Sequence, residues 1–142
     1  MPSPVTILLV EDNSDDESLT VRALRMGTDA SIELARDGPE ALDYLFNDAN
    51  IVPRLVLLDL NLPELDGLKV LQRIREHERT CLTPVVILTG FAAPIDVIAA
   101  YRYGANSYVR KPVDFEQFAE VIQQLGLYWL VVNEPPPNAL DQ

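Results

Sequence analysis

Cysteine is almost missing: Cys81 stands alone among 142 residues, and His77 is the one histidine. An internal disulfide is excluded, and one cysteine with one histidine, His77, does not make up a metal-ligand set, so Cys81 reads as a buried or incidental thiol. No run of about 18 apolar residues occurs, which leaves no candidate membrane span. The N-terminus, MPSPVTILLVEDN, lacks the basic stretch and small-residue cleavage site of a secretory signal. A soluble cytoplasmic protein is the expectation. Basic residues are scarce as well, 11 Lys and Arg against 22 Asp and Glu, for a formal net charge of -11. A nucleic-acid binder concentrates Lys and Arg on one face, so that class is disfavoured. The acidic balance favours cationic partners instead, a divalent metal among them.

What is present suits one globular domain with a substantial core, since 48% of the residues are hydrophobic. Residues 5 to 10, VTILLV, form a β-branched and aliphatic run ending in the acidic cluster EDNSDDE, the pattern of a strand buried on both faces. From about Asp15 to Met26 the residues Leu19, Ala23 and Met26 recur at helical spacing, with Gly27 where a C-terminal cap should stand. SIELA is a second strand, and Gly38-Pro39 opens a helix through Phe46, with Pro39 at a first-turn position that needs no N–H. LVLLD is a third strand. After a turn from Pro63 to Gly67, the residues Leu68, Leu71 and Ile74 mark an amphipathic helix. PVVILT, residues 84 to 89, is the fourth strand, Pro94 to Tyr103 a helix ending near Gly104, SYVR the fifth strand, and Asp114 the N-cap of a last helix. Strands alternating with helices predict a parallel sheet covered on both faces by right-handed crossovers.

In such sheets the site lies at the strand C-termini. Glu11 and Asp12 follow the first strand, Asp59 the third, Thr89 the fourth, and the fifth leads into Lys111-Pro112. Three carboxylates brought together resist ionising unless a cation neutralises them. Hard oxygen ligands without His or Cys suit Mg²⁺, with Asp12 and Asp59 as direct ligands. A carboxylate can also attack phosphorus to form an aspartyl phosphate, while a metal screens the transition state. Asp59, ending a central strand with Thr89 and Lys111 available to bind phosphoryl oxygens, is the candidate acceptor.

VEDN at 10 to 13, LLDLNLPELDG at 57 to 67, VVILTG at 85 to 90 and YVRKP at 108 to 112 together resemble the receiver domains of two-component response regulators. Each motif is weak alone. Their order and their separations, thirty residues from Asp59 to Thr89 and fifty-two to Lys111, make the combination specific over about residues 5 to 132. The resemblance implies a flavodoxin-like, doubly wound α/β fold with a five-stranded parallel sheet of order 2-1-3-4-5. It implies Asp59 as phosphoacceptor, Asp12 as a direct Mg²⁺ ligand, Glu11 acting through water, and Asn61 as a ligand through its backbone carbonyl. Thr89 and Tyr108 would be the switch pair and Lys111 the phosphate-binding lysine, followed by a cis bond to Pro112. On phosphorylation by a histidine kinase, Thr89 would swing toward the new oxygens, Tyr108 would turn inward, and the face of helix 4, strand 5 and helix 5 would change shape. Such a domain is no enzyme beyond catalysing its own phosphorylation and slow dephosphorylation. Gly90 departs from the Ala or Ser usual in the family, which puts in doubt how tightly phosphorylation couples to switching.

From Asp114 onward Phe115, Phe118, Ile122, Leu125, Trp129 and Val132 fall three and four apart along one helix face. A continuous helix to Val132 spans about 28 Å at 1.5 Å per residue, and its last turns, LYWLVV, are apolar all round. Dimerisation through Phe118, Ile122, Leu125, Tyr128, Trp129 and Val132 is expected, the alternative being that these turns fold back on their own domain. The ending also resembles the small receivers paired with phytochrome-type photoreceptor kinases, which implies a homodimer and such a partner. A receiver domain over residues 1 to 133 and a proline-rich flexible tail over 134 to 142 are expected, with no output domain following.

Blander readings cover several residues. Asp15, Asp16 and Glu17 suit a helix N-terminus, His77 a solvated stretch, Tyr101 and Tyr103 helix packing, and Trp129 core or interface. A flavodoxin-type redox protein shares the sheet, but EDNSDDE in the first loop repels a flavin phosphate. A haloacid-dehalogenase-type phosphatase wants a second Asp where Asn61 stands. The nearest rival is an unphosphorylated receiver acting purely as a binding module.

Overall fold

The computed structural model describes residues 6–90 and 93–137. In chain order the elements are β1 (Thr6–Val10), α1 (Ser14–Arg25), β2 (Ser31–Ala35), α2 (Gly38–Phe46) and β3 (Leu55–Leu58). They continue with α3 (Gly67–Glu76), β4 (Val85–Thr89), α4 (Pro94–Arg102), β5 (Ser107–Arg110) and α5 (Phe115–Leu127), which runs into a π-helical segment, Tyr128–Val132. The five strands are all parallel in the order β2-β1-β3-β4-β5. Val5, expected in the first strand, and residues 138 to 142 of the expected tail lie outside the described residues.

The three inner strands are buried throughout because helices cover both faces. Side chains alternate between two cores. Leu8, Val10, Val56, Leu58, Val85 and Ile87 meet the inner faces of α2 and α3, while Ile7, Leu9, Leu55, Leu57, Val86 and Leu88 meet α1 and α5. Period two in the strands therefore fills two layers at once. The edge strands β2 and β5 are more open.

Local chemistry sets the helix starts. Asn13, Asp37, Asp66 and Asp114 each cap a helix by accepting from a backbone N–H in its first turn. Helix α4 has no side-chain cap and buries only Ala100, so it is the most weakly held of the five. Gly27 does not terminate α1 in a left-handed conformation. Met26 is the C-cap, in the ordinary helical region, and the amides of Gly27 and Thr28 bond back to Leu24. Left-handed backbone appears instead at Gly104, φ 98°, after α4, and at Glu64, φ 64°, in the turn after Pro63.

The last helix departs from one continuous α-helical seam. After Leu127 the winding widens, closed by the Asn133 amide donating to the Tyr128 carbonyl five residues back at 2.6 Å. The wider turn rotates the seam: Trp129 and Leu130 tuck partly against the core, whereas Val131 and Val132 face outward.

Candidate functional site

Three charged groups of the site begin where the sheet ladder runs one residue past a strand. The Glu11 amide donates to Ala35 of β2 at 2.9 Å, the Asp59 amide to Val10 of β1 at 3.1 Å, and the Lys111 amide to Thr89 of β4 at 2.8 Å. The backbone of three charged residues is thereby fixed by neighbouring strands, so their side chains converge without loop freedom. Gly67 fixes the floor. A Cβ there would come within 2.4 Å of the Asp59 carbonyl and 2.5 Å of Leu60 Cα, and the Gly67 amide donates to the Leu60 carbonyl at 3.0 Å. Only glycine lets the start of α3 press against the backbone that carries Asp59.

A cleft of about 510 Å³ results, lined by Glu11, Asp12, Asp16, Asp59, Asn61, Thr89 and Lys111 among others. Carboxylate oxygens of Glu11, Asp12 and Asp59 all lie within 4.8 Å of one another. Glu11 and Asp59 are buried and Asp12 is exposed at the mouth. Asp59 Oδ1 accepts from the Asn61 amide at 3.0 Å. Lys111 Nζ donates to Glu11 at 2.5 Å, Asp16 at 2.9 Å and Asp59 at 3.2 Å. Thr89 is fully buried, and its Oγ1 has no hydrogen-bond partner among the described residues. An orphaned hydroxyl beside clustered hard oxygen donors is what a site for a divalent cation and an oxyanion would contain.

The charges redistribute in keeping with this crowding. Burial, together with the hydrogen bond to Asp59, pushes the Glu11 carboxyl up to about 8 even though Lys111 pulls the other way. Burial also raises Asp59, but Glu11, the Asn61 amide and Lys111 outweigh it and hold Asp59 below the usual carboxylate range. The two carboxyls are thus pushed apart, Glu11 toward its protonated form and Asp59 toward its ionised one. Burial lowers Lys111, and its carboxylate neighbours more than reverse that.

The expected residues Glu11, Asp12, Asp59, Asn61, Thr89 and Lys111 thus come together. Tyr108 is half-buried on β5, packed against the α2–α3 side of the core, its hydroxyl raised by burial and then by Asp96 and Asp59. The bond from Lys111 to Pro112 is trans, since no cis peptide occurs among the described residues; the expected cis isomer is the one that an X–Pro bond intrinsically disfavours. At Gly90 a side chain would meet no described atom within 4 Å, and its φ is not left-handed, so glycine is not required there. Among the expected dimer contacts, Phe118 and Ile122 belong to the chain's own core because α5 packs on α1 and the sheet. Leu125 and Trp129 are partly buried, and Tyr128 and Val132 are exposed. Asp16 does more than suit the helix dipole: its contact with Lys111 spans 95 residues of sequence, and no local pattern signals it. His77 is not simply solvated, for its ring stacks on Phe46 at a centroid distance of 4.1 Å.

A five-stranded doubly wound sheet with this cluster at its C-terminal edge defines a class: the chain belongs to the response regulator receiver domains, whose family model matches residues 7–123. Among particular proteins it is similar to the probable methanogenesis regulatory protein FilR2 of Methanothrix harundinacea, 43% identical over 140 residues, covering 96% of this chain and 90% of that one. It is also similar to response regulator Rcp1 of Synechocystis, 36% identical over 132 residues, covering 89% of this chain and 90% of that one. The crystal structure of Mn²⁺-bound Rcp1 superposes with a TM-score of 0.87 at 34% identity, covering 94% of this chain and 100% of that one. The phosphorylated cyanobacterial phytochrome response regulator RcpA gives 0.88 at 33% identity, with 94% and 99% covered. Among the described residues no helix is long and apolar enough to cross a membrane.

Proposed function

We propose that Asp59 is the acceptor of a phosphoryl group from a histidine kinase, and that its phosphorylation switches the face formed by α4, β5 and α5. The observation that carries this reading is the Asp59 carboxylate, held ionised beside Lys111 at 3.2 Å and in one cleft with the unpartnered Thr89 hydroxyl. One Asp59 oxygen attacks phosphorus; the new O–P bond forms as the bond to the donor breaks, and the electron pair leaves with the donor. Glu11, Asp12, Asp59 and the Asn61 carbonyl would hold Mg²⁺, Glu11 through water, and the ion would screen the negative charge of the attack. Lys111 and Thr89 supply an ammonium and a hydroxyl for the phosphoryl oxygens.

The product carries roughly -1.5 to -2 charge and three acceptor oxygens. Thr89 Oγ1, lacking a partner, gains one by turning toward them, and Tyr108 is the side chain that then moves inward. The loosely held α4 makes a shape change on that face inexpensive, and two arrangements within a few kcal/mol suffice for a switch. The only chemistry in this reading is the domain's own phosphorylation and slow dephosphorylation, in the cytoplasm. A phytochrome-type kinase is the proposed partner, in line with the naming of RcpA as a phytochrome response regulator. The exposed apolar end, Leu127, Tyr128, Val131 and Val132, suits a second copy of the chain. Sedimentation that stays monomeric over a concentration series removes that second copy. Residues 1 to 133 act as the receiver and residues from 134 as a tail.

Incubation with acetyl phosphate and Mg²⁺, followed by intact mass, tests the acceptor. Wild type gains one phosphoryl mass and Asp59→Asn gains none. An unchanged wild-type mass leaves the chain as a binding module.

A further inference from the structure

Lys111 has a third carboxylate partner that stands outside the metal-holding group. Glu11, Asp12 and Asp59 form that group, whereas Asp16, on the first turn of α1, approaches Lys111 Nζ at 2.9 Å from the rim of the cleft, its side chain 37% exposed. The position of Asp16 is fixed from both sides. Its amide donates to the Asn13 cap at 2.9 Å, and its carbonyl accepts from the fully buried Thr20 hydroxyl at 2.8 Å. The rest of the Lys111 side chain has little freedom, being only 10% exposed.

A cation entering among Glu11, Asp12 and Asp59 takes up oxygens that Lys111 holds, and a phosphoryl group on Asp59 takes up another. Asp16 loses nothing in either event. We infer that Asp16 is a positioning residue: it keeps the Lys111 ammonium at the mouth of the cleft, facing the incoming phosphoryl oxygens, while the other two carboxylates are drawn away. This rests on the reading of Asp59 as acceptor. Without Asp16 the ammonium either stays with Glu11 and Asp59, where it competes with the metal, or swings into water. Both outcomes slow phosphorylation.

Simple charge removal predicts the opposite sign. Neutralising Asp16 reduces repulsion of an anionic phosphodonor and, acting through field alone, speeds the reaction. The two accounts therefore separate by direction. Phosphorylation by acetyl phosphate at saturating Mg²⁺ is followed by intact mass, with Mg²⁺ affinity measured by calorimetry, in the full chain. Asp16→Asn should slow the saturated rate roughly three- to tenfold, a modest factor because the pair is partly exposed. Asp16→Glu should recover most of it. Asp15→Asn, the same charge change at the exposed preceding position, should stay within about twofold of wild type. In a Lys111→Gln background Asp16→Asn should cost nothing further, since the two act as a unit.

The inference is overturned if Asp16→Asn matches or exceeds the wild-type rate, or if its loss persists undiminished in Lys111→Gln. Should Asp16→Asn not fold, Asp16→Ser carries the same comparison. A wild type that takes up no phosphoryl group would instead overturn the acceptor reading itself.

Discussion

Two basic side chains sit at opposite ends of the sheet, and each is sunk among oxygens. At the C-terminal end Lys111 donates to three carboxylates. At the other end Arg75, on α3, donates to the carbonyls of Gly104 at 3.0 Å, Cys81 at 3.1 Å and Thr83 at 2.6 Å, and to Asn106 Oδ1 at 2.7 Å. Burial disfavours the charge on both. Arg75, among neutral dipoles, has its pKa lowered by that burial, whereas the carboxylates around Lys111 reverse it. The contrast separates a clamp from a site. The oxygens around Arg75 belong to backbone and amide groups for which no other cation competes, so its bonds are permanent and tie α3 to the loops before β4 and β5. The oxygens around Lys111 are charges that a metal or a phosphoryl group can claim, so its bonds are exchangeable. Concentrated like charge is expensive without a ligand, and a small domain tolerates it where function requires it.

The comparison breaks most visibly at Arg75. Arg75→Ala takes a donor from three backbone carbonyls, while Asn106 Oδ1 keeps the Val85 amide, and stability should fall by about 2–4 kcal/mol, read from the urea midpoint at unchanged slope. Arg75→Lys should recover little, because an ammonium cannot reproduce the forked geometry. While the chain remains folded, Mg²⁺ affinity and phosphoryl uptake should match wild type. A variant that keeps its stability but loses phosphoryl uptake would mean that Arg75 belongs to the functional end after all.

The two ends also differ in how far the sequence discloses them. Glu11, Asp12, Asp59, Thr89 and Lys111 were legible because each stands at or just past the end of an expected strand, and strand ends in a parallel sheet converge on one edge. The Arg75 clamp was not, since its partners are carbonyls, which every residue possesses. Asp16 was hidden for a related reason: a carboxylate in a first helical turn already has a local explanation. The last helix follows its expected seam from Phe118 as far as Leu127, with Phe115 exposed at its start. Beyond Leu127 the residues are apolar on every side, so the pattern carried no sign that the winding would widen and turn Val131 and Val132 outward. Phe118 and Ile122 pack in the chain's own core and not on a partner; periodicity marks a buried stripe without saying against what it is buried.

The exchangeable character of the Lys111 end has a consequence in pH. Glu11 is pushed up to about 8, chiefly by burial and then by Asp59, from an ordinary value of 4.5. The folded chain thus holds a proton that the unfolded chain releases between those values, so the contribution of Glu11 to stability declines as pH rises through that window. A divalent ion in the cluster would favour the ionised form of Glu11, even through water, so its binding is linked to loss of the same proton. Mg²⁺ affinity should climb about tenfold between about pH 7 and pH 9 and flatten above that, as one proton released near 8 requires. Neither neighbour confuses the reading: Asp59 is lowered and stays ionised throughout, and Lys111 is raised and stays charged. Glu11→Gln should flatten the profile and weaken binding at the high end, measured by calorimetric titration at fixed ionic strength. A wild-type affinity that is level across this range would mean that the proton is not on Glu11, and that the ammonium alone contests the pocket with the metal.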